Sequence, residues 1–152
     1  MEQRSRIRVD HSALRTNQGV IIAVLACAYI TELPVLAFIC GSLMLLGSMI
    51  GKPAFLPIYH LLRSIGLVQP DLQVDRSEPH RFAQAIGALM LFAASIAFII
   101  AGDVIGWVLT IVVIVLAALN LFLGFCLGCS LYFWLARMGV PGFDKEPVED
   151  TA

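Results

Sequence analysis

The residues with the most chemical potential lie close together in Gly124-Phe125-Cys126-Leu127-Gly128-Cys129. Cysteines three apart share a helix face, and in a CxxC turn their sulfurs can reach a disulfide. Such a pair can exchange thiol for disulfide, bind a soft metal ion, or simply pack as small residues in a membrane helix. All three readings stay open on the residues alone. Gly124 and Gly128 also have the GxxxG spacing that lets a second backbone approach closely. Cys27 and Cys40 stand singly in apolar runs and read as packing residues.

Among the three histidines, His80 is the best placed to meet the pair, in Glu78-Pro79-His80-Arg81-Phe82-Ala83-Gln84. Pro79 presets the first turn of a helix, and Glu78 suits its positive N-terminus. The expected catalytic set is therefore Cys126 as attacking thiolate, Cys129 as resolving thiol, and His80 with Arg81 as their electropositive surroundings. Arg81 has a second reading as a contact for lipid phosphate. His11 and His60 could add to a Cys2His or Cys2His2 metal site, but the spacing matches no standard zinc pattern. No metal and no cofactor is expected.

The elements that must position these residues follow from composition. Of 152 residues, 59% are hydrophobic and 14% charged; soluble domains have about 45–50% and about 25%. Mean hydropathy is +0.88. So few polar residues cannot cover a soluble domain, which excludes a soluble enzyme, a nucleic-acid binder and a disordered chain. The expected fold class is all-α: an integral membrane four-helix bundle built from two helical hairpins.

Four apolar runs supply the helices: 16–31, 33–51, 82–102 and 104–123, the last continuing without a charge to Arg137. A spanning helix needs about 20 apolar residues. The first run is short and must borrow its preceding turn, with Arg15 snorkelling outward. Thr31-Glu32-Leu33-Pro34 reads as stop, cap and restart, and Gly102-Asp103 as a left-handed helix end followed by a carboxylate cap. A cleaved signal peptide is disfavoured, because Leu25 is too bulky for the lipoprotein cleavage box that Val24-Leu25-Ala26-Cys27 loosely matches, and the seven apolar residues between Gly19 and Cys27 only just reach the length such a signal needs.

All ten Lys and Arg residues precede the first run, lie between the second and third, or follow the fourth. The positive-inside rule then places both termini and the middle loop in the cytoplasm. The expected organisation is an N-terminal arm (1–15), a four-span domain (16–138) with a cytoplasmic loop (52–81), and a disordered tail (139–152). In that reducing compartment a standing disulfide is not expected, whereas a transient disulfide or persulfide fits. Asn120 needs a partner within the bundle, with Asn17 and Gln18 as the candidates.

The halves also align: Arg15 and Gln18 with Arg81 and Gln84, then Gly51, Tyr59, Leu62 and Gly66 with Gly124, Tyr132, Leu135 and Gly139. This predicts a parallel internal repeat. Each half ends in an aromatic-bearing segment expected to lie along the inner interface, where Tyr132, Phe133 and Trp134 would form a belt. Residues 68–80 read as an exposed, Pro-punctuated linker.

Three segments carry a family resemblance: Asp10 with Arg15, Asn17 and Gln18; residues 78–84; and Asn120, Gly124, Phe125, Cys126, Gly128, Cys129 and Tyr132. Across residues 9–137 the chain resembles the bacterial membrane family catalogued as domain of unknown function 4395. His11-Ser12 departs from the Asn that members often carry nearby. The resemblance implies a bacterial inner membrane as the location, a thioredoxin-like or rhodanese-like cytoplasmic partner, and thiol or sulfur handling at Cys126 and Cys129. Four-helix membrane oxidoreductases that couple a CxxC to a quinone carry it on the oxidising side, which is the wrong side for this chain. Besides the lipid bilayer, the expected partners include a homo-oligomer or a larger membrane complex. From another class comes a non-catalytic subunit that packs through GxxxG, and a third reading is a small-anion or sulfur-compound channel. The spans lack the polar lining such a channel needs.

Overall fold

A computed structural model describes residues 8–74 and 77–143. Residues 1–7 of the expected arm and 144–152 of the expected tail lie outside the described residues. Strand β1 (Arg8–Asp10) leads into helix α1 (His11–Ile30). Asp10 caps α1, its Oδ1 accepting the N–H groups of Ser12 at 3.0 Å and Ala13 at 3.4 Å. The helix therefore starts before the predicted run and reaches 20 residues unaided. It stops at Thr31, whose hydroxyl donates to the Cys27 carbonyl at 2.7 Å. Glu32 then turns left-handed (φ 51°), and Pro34 opens helix α2 (Pro34–Ile50), as the stop-and-restart reading expects.

Gly51 ends α2 in the left-handed conformation (φ 79°), which favours a residue without a Cβ. Helix α3 (Leu56–Ser64) and strand β2 (Leu72–Val74) follow, then α4 (Ser77–Ile100), α5 (Asp103–Leu123) and α6 (Leu127–Arg137). Between α4 and α5 the expected carboxylate cap is corrected. Gly102 occupies the cap position without a side-chain bond, and Asp103 sits in the first turn, where its charge acts on the helix dipole.

Helices α1, α4 and α5 are long and apolar enough to cross a membrane, whereas α2 is apolar but only 17 residues long. Helix α2 packs on α4, α4 on α5, α5 on α1, and α1 on α2, closing a ring. Ile21, Leu25, Cys40, Leu91 and Val113 fill its centre. A Cβ at Gly41 would lie only 3.0 Å from the Leu91 Cβ, so the glycine sets how closely α2 approaches α4. The outer faces expose Val35, Phe38, Leu46, Ile99 and Val108, more contiguous apolar surface than a water-facing domain carries.

The fold is mostly helical, and the middle segment adds one short two-stranded ribbon to it. Residues 72–74 do not run as free linker but pair antiparallel with β1, Val9 opposite Gln73. Three-residue strands are too short for an alternation signal to stand out in sequence. Asp10 ties this ribbon together. Its carboxylate accepts the Tyr59 hydroxyl and, at 3.1 Å, the Asp71 N–H, while the His11 N–H donates to the Asp71 carbonyl at 2.8 Å.

Candidate functional site

The long fourth run breaks where the cysteines lie. Gly124 ends α5 in the left-handed region (φ 66°), and Cys126 becomes the N-cap of α6. Its sulfur accepts the Cys129 N–H at 3.2 Å. Negative charge on Cys126 Sγ is therefore stabilised by a hydrogen bond and by the positive end of α6. The two cysteines are joined as a disulfide, with Cα atoms 5.2 Å apart. Gly128 seats α6 on α4, since a Cβ there would fall 2.5 Å from the Ala83 Cβ.

That placement corrects the GxxxG reading. Gly124 and Gly128 lie on either side of a helix break, and Gly128 is used within the chain against Ala83. Neither is part of a continuous helical face for a second protein.

The first turn of α4 brings His80 to the pair, with Nδ1 3.6 Å from Cys129 Sγ. The ligand atoms of His80, Cys126 and Cys129 all lie within 4.8 Å of one another. Once the cysteines are reduced, two thiolates and an imidazole could hold a soft ion such as zinc or cuprous copper. His11, from the start of α1, meets the His80 ring edge-on at 6.1 Å between centroids. His60 lies elsewhere, against Tyr59 on α3.

Arg81 is not brought to the sulfurs. Its Nε donates to the Ser48 carbonyl at 3.0 Å and its guanidinium lies over Gly51. A cation there suits the negative C-terminus of α2. Among the described residues, Arg15 on α1 is the arginine that borders a cavity together with the cysteines.

Two cavities meet at the pair. A polar one of 470 Å³ is bordered by His11, Arg15, Asp71, His80, Cys126 and Cys129. An apolar one of 580 Å³ runs into the helix ring and is bordered by Ile21, Met44, Met90, Val113, Trp134 and again Cys126. Asn17, Gln18, Gln84 and Asn120 border both. The expected pairing of Asn120 with Asn17 or Gln18 is therefore realised only as a shared cavity. Asn17 Oδ1 instead accepts the Phe55 N–H at 3.0 Å, and Gln84 Nε2 donates to the Met44 carbonyl at 2.7 Å. The aromatic belt divides as well. Tyr132 is buried against Phe82 and Phe143, while Phe133 borders the polar cavity and Trp134 the apolar one.

Asp10 and His11 are the residues that sequence reasoning undervalued. Burial alone would raise the Asp10 carboxyl, but hydrogen bonds from Tyr59, Asp71, Ala13 and Ser12 hold it below its ordinary 3.8. The same bond raises the Tyr59 hydroxyl, together with burial and the Asp10 charge, against an opposing pull from Arg63. The signal was present in the sequence: an Asp one residue ahead of a helix start is a cap candidate, and the cap fixes where His11 falls.

A helical protein with three helices able to cross a membrane, carrying a cysteine pair at a helix N-terminus, is the class these features define. The chain matches the family described as Domain of unknown function (DUF4395) over residues 9–137, and it belongs to that family. No curated protein and no solved structure shows significant similarity to it.

Proposed function

We propose that the protein is a four-span inner-membrane partner in cytoplasmic thiol or sulfur transfer, working through Cys126 and Cys129. One observation carries this reading: Cys126 caps α6 with its sulfur while Cys129 rests against His80. Cys126 is the better thiolate, because α6 stabilises its charge. It attacks a partner's disulfide or sulfane sulfur, expelling a partner thiolate, and Cys129 then attacks Cys126 Sγ and closes the disulfide, releasing the second partner thiolate or, from a persulfide, hydrosulfide. His80 is positioned to take the Cys129 proton. A disulfide exposed to the cytoplasm is transient and catalytic rather than structural, in keeping with a thioredoxin-like or rhodanese-like partner. The polar cavity gives such a partner access to both sulfurs.

The four-span reading counts α2 with the three longer helices, its 17 residues reaching the bilayer edges with Pro34 and Gly51 at the ends. Several features support the parallel repeat. Under the sequence alignment, the buried Ala13, Leu25 and Ala28 of α1 correspond to the buried Pro79, Leu91 and Ala94 of α4. The buried Ala37, Cys40 and Met44 of α2 likewise correspond to Thr110, Val113 and Ala117 of α5. Gly51 and Gly66 match Gly124 and Gly139 in left-handed conformation. The contact of Asn17 with Phe55 corresponds to that of Ala83 with Gly128.

The test equilibrates the purified protein with thioredoxin of known potential and reads the cysteines by acid quench and alkylation. Cys126 and Cys129 are expected to titrate together as one two-electron couple, lost in Cys126→Ser or Cys129→Ser. His80→Asn should slow disulfide closure and accumulate the mixed species at Cys126. A pair that never exchanges with thioredoxin overturns the reading.

A further inference from the structure

We infer that the 580 Å³ apolar cavity binds a quinone, which accepts two electrons from the reduced Cys126–Cys129 pair. This rests on the thiol-exchange reading and names its second substrate class. The volume falls within the roughly 300–1,000 Å³ of small-molecule sites. Ile21, Met44, Met90 and Val113 make the walls suited to a lipophilic occupant, and methionine thioethers pack well on flat rings. At Gly87 the wall has no side chain, and a Cβ there would meet the end of the Met44 side chain, Cε, at 2.7 Å.

The end nearest the sulfurs selects the head group. Asn17 uses its oxygen on Phe55 and keeps an amide N–H2 to donate, and the Asn120 side chain has no hydrogen-bond partner among the described residues. An acyl chain offers these donors no acceptor and leaves them only to the polar cavity that they also border. A carbonyl-bearing ring satisfies them. Lipid-soluble two-electron carriers that present ring carbonyls are quinones. They partition into the bilayer interior and reach either leaflet, so cysteines on the inner side have the same access as cysteines on the outer side.

Cys126 borders both cavities, whereas Cys129 borders only the polar one, so Cys126 meets both substrates and Cys129 resolves. A soluble thiolate attacks Cys126 Sγ from the polar cavity, forming a mixed disulfide and expelling the Cys129 thiolate beside His80; a second thiol of the partner then releases the Cys126 thiolate. In the reduced protein, the Cys126 thiolate adds to a quinone ring carbon, and the adjacent carbonyl oxygen takes up a proton. The Cys129 thiolate, its proton given up through His80, attacks Cys126 Sγ. The S–S bond forms, the S–C bond breaks, and the electron pair stays with the ring, which takes the second proton. Two thiols and a quinone become one disulfide and one hydroquinone.

The experiment uses the full chain in lipid nanodiscs with decylubiquinone and a short-chain menaquinone as probes. Trp134 borders the cavity, and Trp107 is the other of the two tryptophans, so quenching is read in wild type and in Trp107→Phe. Saturable quenching is expected, retained in the Cys126→Ser/Cys129→Ser double variant and weakened at least tenfold in Asn120→Leu. Adding quinone to the reduced wild type should form one hydroquinone per cysteine pair, and none in the double variant. Absence of saturable quenching, or equal displacement by a fatty acid, overturns the quinone site. If the pair still exchanges with thioredoxin in that case, the proposed function stands without it. Saturable quenching with no hydroquinone formed overturns the electron transfer.

Discussion

Gly128→Ala is the smallest change that should disturb the cysteine pair without touching it. The added Cβ would sit 2.5 Å from the Ala83 Cβ and 2.7 Å from its Cα, about 1 Å short of the 3.5 Å at which carbons make ordinary contact. Ala83 lies on the rigid α4 and has no rotamer to yield, so α6 must lift by about that distance. His80 stays on α4, and its 3.6 Å approach to Cys129 Sγ would open beyond hydrogen-bond range. Overpacking of this kind costs about 1–3 kcal/mol. Losing even the lower half of that from the thiolate's surroundings slows a reaction about tenfold.

Gly87→Ala is the control. Its Cβ would meet the Met44 Cε at 2.7 Å, the free end of a flexible side chain, and the methionine can rotate away at less than about 1.5 kcal/mol. Maleimide kinetics on the reduced protein in nanodiscs, resolved by peptide mapping, give the rates at Cys129 and Cys126. Cys27 is exposed and serves as an internal reference. Gly128→Ala should slow Cys129 about tenfold, change Cys126 much less because its cap moves with α6, and lower the melting temperature, with Gly87→Ala near wild type. Equal behaviour of the two variants would refute the seating of α6 on α4.

Two further predictions concern the supports of the site. The Asp10 carboxyl is held below its ordinary 3.8, so the β1–β2 ribbon should be at full strength above that pH and loosen as pH falls below it. Hydrogen exchange at Val9 and Gln73 checks this; Asp10→Asn should remove the pH dependence and cost about 1–2 kcal/mol of cap and tether. Arg81→Met should destabilise the C-terminus of α2 by about 1–2 kcal/mol through its lost carbonyl contacts, yet leave Cys126 alkylation unchanged. A tenfold fall in that rate would mean the guanidinium serves the thiolate after all.

Hydrophobic runs and helix punctuation carried most of the fold into the sequence. Pro34, Gly51, Gly102 and Gly124 all fall at helix ends, because proline lacks an N–H and glycine tolerates the left-handed turn. The ribbon was not legible, since a three-residue strand is fixed by Asp10, Tyr59 and Asp71, residues far apart in the chain. Cys126, Cys129 and His80 were legible as candidates, because a CxxC and a proline-led helix start are local signals, but the helix start at Cys126 was not, since the fourth run continues without a charge to Arg137. Arg81 was misassigned by its neighbour: consecutive helical residues point about 100° apart, so His80 faces the sulfurs while Arg81 faces α2. Both cavities depend on tertiary packing, and no local pattern encodes them.

The central claim is that Cys126 and Cys129 cycle between dithiol and disulfide on the cytoplasmic side of the membrane. Membrane-impermeant maleimide applied to inside-out and right-side-out vesicles, with and without prior reduction, tests it most directly. The expected result is labelling of Cys126 in inside-out vesicles only, and only after reduction. Labelling from the opposite face, or labelling indifferent to reductant, would contradict it.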